Sequence, residues 1–228
     1  IAGDIDPAAA RRLVEKWFSE IPRGAEVEPL APPAAFLTGV RRQTLTDAVQ
    51  LPRLYLAWMT PALYAPADAA LDAAASVLTG GKNSRLYRRL VYDLQIAQDV
   101  AAAQQSAALA SSFLVVATPR PGHTIEELRA VIDEEIARLA STPPSARELE
   151  RVLNQVEAAF FARMERTGGF GGKADQLNAY FTQTGNPDYF AEDLARYRAL
   201  SPSDVTAAVR RFLPPDRRVE VTVVPKGK

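Results

Sequence analysis

Apolar and polar positions along the chain change their period several times, and each change marks an element. Leu13, Val14, Trp17 and Phe18 form one stripe at helical spacing, with Asp6 placed to cap and Pro7 at the first helical position, so a helix ending near Ser19 is predicted. From Ile21 to Thr38 neither period is present, and prolines fall at 22, 29, 32 and 33; this stretch reads as an interdomain linker. Two strands are predicted next, Arg42 to Val49 and Pro52 to Thr60. The second alternates Leu54, Leu56 and Trp58 against Tyr55, Ala57 and Met59, which suggests burial on both faces.

The helical period returns from Ala67 to Leu78 and stops at Gly80-Gly81. A shorter helix from Ser84 to about Leu94 carries Leu86, Leu90 and Leu94 at four-residue spacing. Strands fit Ala97 to Gln105 and Ser112 to Thr118, followed by a turn through Pro119-Arg-Pro-Gly-His-Thr. Thr124 with Glu127, and Ser145 with Glu148, make capping boxes before two helices, the second reaching Arg166. Gly168-Gly169 and Gly171-Gly172 break the chain before shorter helices at Lys173 to Gln183, Pro187 to Leu200 and Pro202 to Leu213, and Arg218 to Val224 is a last strand. Strand pair, helix pair, strand pair, helices and a lone strand predict an α+β fold, a mixed and mostly antiparallel sheet packed against a layer of helices.

Composition narrows the function classes. With 228 residues, of which 47% are hydrophobic and 24% charged, the chain can bury a sizeable core. Lysine and arginine total 27 and so do aspartate and glutamate, so there is no long-range pull on nucleic acid or anionic lipid. No apolar run approaches the roughly 20 residues of a membrane helix. Ile1 opens the chain without methionine inside what reads as a strand end, so a piece of a longer protein is expected, its targeting segment elsewhere.

Candidate chemistry is sparse. There is no cysteine and one histidine, His123, in a proline-glycine turn, whereas a catalytic zinc takes three protein ligands. The same scarcity disfavours a Ser-His-Asp triad, and no G-x-S-x-G elbow is present. The acidic pairs Asp133 with Glu134 and Glu148 with Glu150 lie on charged helices and read as solvated faces. Gly80-Gly81-Lys82-Asn83-Ser84 departs from a phosphate loop, because Ser76 stands at the first glycine, Asn83 at the serine or threonine, and a helix precedes it. A helix stop and restart capped at Asn83 or Ser84 fits better. Trp58, Phe160, Phe161, Tyr180 and Phe181 recur at strand or helix spacing and are expected in the core.

Several stretches together resemble the insulinase (pitrilysin-type) zinc metallopeptidases, a family that includes the mitochondrial processing peptidase and respiratory-complex core proteins. Gly3-Asp-Ile-Asp-Pro7 with Leu13-Val14 and Phe18 is similar to the closing strand and helix of the family's first domain. Leu78-Thr-Gly-Gly-Lys-Asn-Ser-Arg-Leu-Tyr87 with Leu90 and Ile96-Ala97 resembles the loop and helix of its second. Lys173 to Asn178, Asn186 to Phe190, Tyr197 to Pro202 and Val219 to Pro225 continue the likeness in the family's order.

The resemblance implies residues 1–21 as the tail of a preceding zinc-bearing domain, 22–40 as a linker and 41–228 as a metal-free, chamber-forming domain. The family's H-x-x-E-H helix is absent, so no catalytic or metal residue carries over, and the chain is not expected to be an enzyme by itself. Zinc is implied only for the complete enzyme. The arginine and tyrosine that family members carry seven apart in the opposing half fall here on Val91 and Gln98. Gly80, Gly81, Lys82 and Asn83 are the candidate chamber-facing loop. Implied partners are the zinc-bearing domain, a second half closing the chamber, and unfolded peptide held by size and edge-strand contacts, with no nucleic acid and no membrane insertion. The implied setting is the bacterial periplasm. Two other readings stay open: a purely structural scaffold like the respiratory core proteins, and a stand-alone peptide-binding module.

Overall fold

A computed structural model describes residues 1, 3–28, 30–31 and 37–226. Linker prolines 29, 32 and 33 lie outside the described residues. The chain divides into two compact units, Ile1–Ala31 with Glu157–Leu194, and Pro32–Val156 with Ala195–Lys228.

The larger unit is built on a five-stranded sheet in the order β1-β5-β2-β4-β3, from β1 (Arg41–Asp47), β2 (Arg53–Thr60), β3 (Ala97–Gln105), β4 (Ser111–Pro119) and β5 (Val219–Pro225). β1 runs parallel to β5, and the remaining pairs are antiparallel. The expected mixed, mostly antiparallel sheet against helices is therefore the fold observed. Leu54, Leu56 and Trp58 of β2 lie opposite Ala117, Val115 and Phe113 of β4 and are buried with them. Burial on β2 is one-sided: Tyr55 and Ala57 are only half-buried and Met59 is 40% exposed. The two-sided expectation fails because the helices of this unit gather on the Leu54 face.

Those helices include α2 (Asp68–Thr79), α4 (Ile125–Ser141) and α8 (Pro202–Phe212). α2 packs on β3 and α8, and α4 on β4 and α8. Alanines at 69, 70, 73, 74 and 75 let neighbours approach α2 closely, and its Leu71, Val77 and Leu78 fill the core with Leu128, Ile132 and Leu139 of α4 and Val205 and Val209 of α8. The capping boxes at Thr124/Glu127 and Ser145/Glu148 form as the sequence predicts, the second opening α5 (Ala146–Glu165). Ser201 caps α8, where Pro202 takes the first position.

The short helix after α2 differs in kind from the expectation. It begins as α3 (Arg85–Tyr87) and widens into a π-helical turn, Arg88–Asp93, in which the Leu94 amide donates to the Arg89 carbonyl at 2.9 Å. The wider turn rotates the face it presents, so Leu86 and Leu90 are buried whereas Leu94 is 46% exposed.

In the smaller unit, α1 (Pro7–Phe18) has Asp6 as its cap, accepting from the Ala8 and Ala9 amides. Gly169 and Gly171, both at positive φ, turn the chain between α5 and α6 (Lys173–Thr184). Tyr180 donates to buried Asp193 of α7 (Phe190–Arg198) at 2.9 Å, and Phe160 meets Phe190 edge-on at 5.5 Å. Phe160 and Tyr180 are buried as expected, but Phe161 and Phe181 are exposed, each about 100° round its helix from the buried neighbour.

Candidate functional site

The loop Gly80 to Asn83 is fixed by backbone geometry. Gly80 ends α2 by donating to the Ser76 carbonyl at 2.7 Å, and a Cβ at Gly80 would stand 2.5 Å from that oxygen. Gly81 has φ +93°, a region that favours glycine. Ser84, fully buried, donates its hydroxyl to the Gly81 carbonyl at 2.6 Å, and its amide donates there too at 3.1 Å. The Gly80, Gly81 and Ser84 amides are thus consumed within the chain, which leaves fewer backbone donors than a phosphate cradle uses. Lys82 and Asn83 are exposed at the tip.

Val91 and Gln98 both fall on backbone irregularities. Val91 sits in the π-helical turn, half-buried against the core, with its carbonyl accepting from Arg120 Nη2 at 3.4 Å. Gln98 is exposed at a register shift of β3, where Ala97 pairs with Pro119 and Asp99 with Thr118, leaving Gln98 as the extra residue of a bulge.

Next to α3 lies a cleft of about 480 Å³ lined by Arg85, Arg88, Arg89, Arg138, Glu135 and Glu148 among others. Its charges are locked in pairs. Arg85 grips Glu148 with two bonds, 2.8 and 3.0 Å, and Arg89 reaches Glu135 at 2.8 Å and also pairs with Glu134. The Arg85 guanidinium, against the cost of burial and with help from the Ser145 amide, holds the Glu148 carboxyl down at about 2. A carboxylate held so low stays ionised at neutral pH and cannot shuttle a proton in general acid-base catalysis.

A second ionic group surrounds Glu220. Burial alone would raise its pKa, but bonds from Arg218 and Arg42 and the nearby Arg129 leave it lowered overall. Arg218 also pairs with Asp133 and lies 5.5 Å over the Trp58 ring. The expectation of solvated faces holds for Glu134 and Glu150, which are exposed, and fails for Asp133 and Glu148, which are partly buried; Asp133, Glu134 and Glu148 are each ion-paired to an arginine distant in sequence. No local pattern marks Arg85, Arg89 or Arg218 as those partners. Another buried carboxylate, Asp68, accepts from the Tyr64 amide, Gln104, Ser106 and Arg196 between 2.6 and 3.2 Å.

His123 is partly exposed and stands 3.4 Å from Glu127, the capping glutamate. Among the described residues, no group of three or more histidine, cysteine, aspartate or glutamate side chains is placed to hold a metal ion. The donor set of this chain does not fit a catalytic zinc. No helix among the described residues is long and apolar enough to cross a membrane.

No curated protein is significantly similar to this sequence. Solved structures give the fold: a protease from Helicobacter pylori superposes with a TM-score of 0.84 at 21% identity over 98% of this chain and 54% of its own. A peptidase M16 inactive domain from Pseudomonas fluorescens gives 0.80 at 17% over 99% and 53%, and the periplasmic protease PqqL from Escherichia coli 0.72 at 16% over 98% and 25%. The chain thus spans about half the length of the first two and a quarter of the third. The family model described as the peptidase M16 inactive domain matches residues 1–156. That match covers most of the chain, agrees with the insulinase-type resemblance of its motifs, and places this protein in the peptidase M16 family as a non-catalytic domain.

Proposed function

We propose that this chain walls a closed proteolytic chamber as the metal-free domain of one half of a zinc endopeptidase, bracing a zinc-bearing domain and facing unfolded peptide. The observation that carries the reading is α1. Its stripe of Leu13, Val14, Trp17 and Phe18 is 57%, 45%, 67% and 60% exposed. A 12-residue helix draws little stability from propensity alone, and large apolar side chains gathered at the surface mark a contact surface. On this reading the stripe is covered by the zinc-bearing domain, to which residues 1–21 belong; 22–40 link the two, and 41–228 form the metal-free domain.

One zinc per complete enzyme sits in that other domain, and a second half closes the chamber. Lys82 and Asn83 present the candidate loop to peptide. Val91 and Gln98, at the family's arginine and tyrosine positions, offer no cation or phenol to polarise a scissile carbonyl, which suits a wall better than a catalytic half. The likeness to a periplasmic protease supports a periplasmic setting.

The test has two parts. Purified alone and dialysed against trace zinc, the chain is expected to retain none and to cleave no peptide; stoichiometric zinc with amide hydrolysis would overturn the proposal. Produced together with the coding sequence that precedes Ile1, it is expected to support zinc-dependent hydrolysis of long peptides, lost when Trp17 and Phe18 are replaced by serine. A preceding reading frame without H-x-x-E-H would favour a scaffold instead.

A further inference from the structure

The two edges of the sheet are not equivalent. On β3, the Ala102 amide donates to Thr79 Oγ1 at 2.9 Å and the Ala102 carbonyl accepts from the same hydroxyl at 3.4 Å, so α2 occupies the middle of that edge. On β1 every side chain is exposed, and among the described residues β5 is the strand's one neighbour. The Arg41 amide donates to the Arg218 carbonyl, and the Asp47 carbonyl accepts from the Lys226 amide, which fixes the alternation of the parallel ladder. Arg41, Gln43, Leu45 and Asp47 bond inward to β5, and Arg42, Thr44 and Thr46 aim their N–H and C=O groups outward.

The outward set is symmetric about Thr44, and the charges at the two ends of the strand, Arg41 and Asp47, are complementary about it; Arg42 is already paired with Glu220. Placed antiparallel to a second copy of itself, β1 pairs Thr44 with its own counterpart and Arg42 with Thr46, all residues whose backbone groups point outward. That register sets Arg41 opposite Asp47 twice, in pairs that do not share hydrogen bonds, where Cα atoms approach to roughly 4.5 Å and side chains are closest. Opposite charges directly across strands favour the pairing. Arg41 has no ion partner among the described residues, and Asp47 uses one carboxylate oxygen to accept the Ala48 amide. A shift by one residue would aim inward-bonded groups at the partner, and a parallel arrangement would not bring Arg41 to Asp47. The strand carries no proline and no bulge to block pairing.

We infer that β1 is a self-complementary interface, through which two copies of this chain join antiparallel about a two-fold axis at Thr44 to continue the sheet from one copy into the other. An arbitrary extended peptide could use the same edge but would lack the matched charges.

Sedimentation over a range of concentrations tests the inference, with a reversible monomer-dimer equilibrium expected. Thr44→Pro removes an outward N–H and leaves the ladder to β5 intact, so it should weaken the dimer by about tenfold or more while circular dichroism stays unchanged. Arg41→Asp should weaken it as well, and Arg41→Asp combined with Asp47→Arg should restore it. Trp17→Ser, on the exposed face of α1, should leave it unaltered. A chain monomeric at every concentration, a dimer indifferent to Thr44→Pro, a charge swap that fails to rescue, or a dimer lost with Trp17→Ser would overturn the inference. So would dissociation by unrelated extended peptides as effective as a β1 peptide. The Thr44→Pro and charge-swap outcomes do not touch zinc or hydrolysis, so the chamber reading stands or falls separately.

Discussion

Glu148 shows how much a single residue carries here. It closes the capping box of α5 through the Ser145 amide at 2.8 Å and holds Arg85 with two bonds. Glu148→Gln keeps the shape but loses the charge, and should cost about 1–2 kcal/mol, read as a lower unfolding midpoint in urea. Gly80 makes the opposite kind of demand, for space. A methyl group there meets the Ser76 carbonyl at 2.5 Å, and that oxygen belongs to helical backbone that cannot swing aside. Gly80→Ala should therefore destabilise by roughly 1–3 kcal/mol in the same measurement. The sequence marks both residues, one by capping-box spacing and the other by the paired glycines. It does not show that Glu148 also holds Arg85, because 63 residues separate them.

Between elements, buried charge does the fastening. Asp68 at the start of α2 gathers donors from β3, from the strand-end Ser106 and from Arg196 on α7, and is 1% exposed. Asp68→Asn takes the carboxylate from beneath Arg196 and should cost roughly 3 kcal/mol, seen as a drop in melting temperature. α1 should behave in the reverse way in this chain. With Trp17 67% and Phe18 60% exposed, replacing both by serine should shift stability by no more than about 0.5 kcal/mol, checked by the same melt. The α1 sequence predicts its helix and its stripe. Whether that stripe is covered depends on what lies against it, which no periodicity encodes.

For the whole molecule, acid is the informative variable. Glu148 is held at about 2 against an ordinary value of 4.5, and Glu127, Glu220 and Asp204 are lowered as well. A carboxylate lowered on folding stabilises the native state above its unfolded pKa, and that stability disappears as pH falls through the folded value. The melting temperature should be level near neutrality, begin to fall as pH passes below about 4.5, and keep falling toward 2. Glu148→Gln should flatten part of that slope. By itself, the sequence determined the α+β class, most element positions, the capping boxes, the loop glycines and the family, because each is written in local spacing or in ordered motifs. It also determined the poverty of metal donors, which is a matter of counting. Only the tertiary structure decided that Asp133 and Glu148 are partly buried against distant arginines, that β2 is buried on one face, that Leu94 is turned outward by a π-helical turn, and that β1 is left as the open edge. Each of those depends on which distant segment arrives as a neighbour, and the period of a sequence records which face is apolar without recording what comes to lie against it.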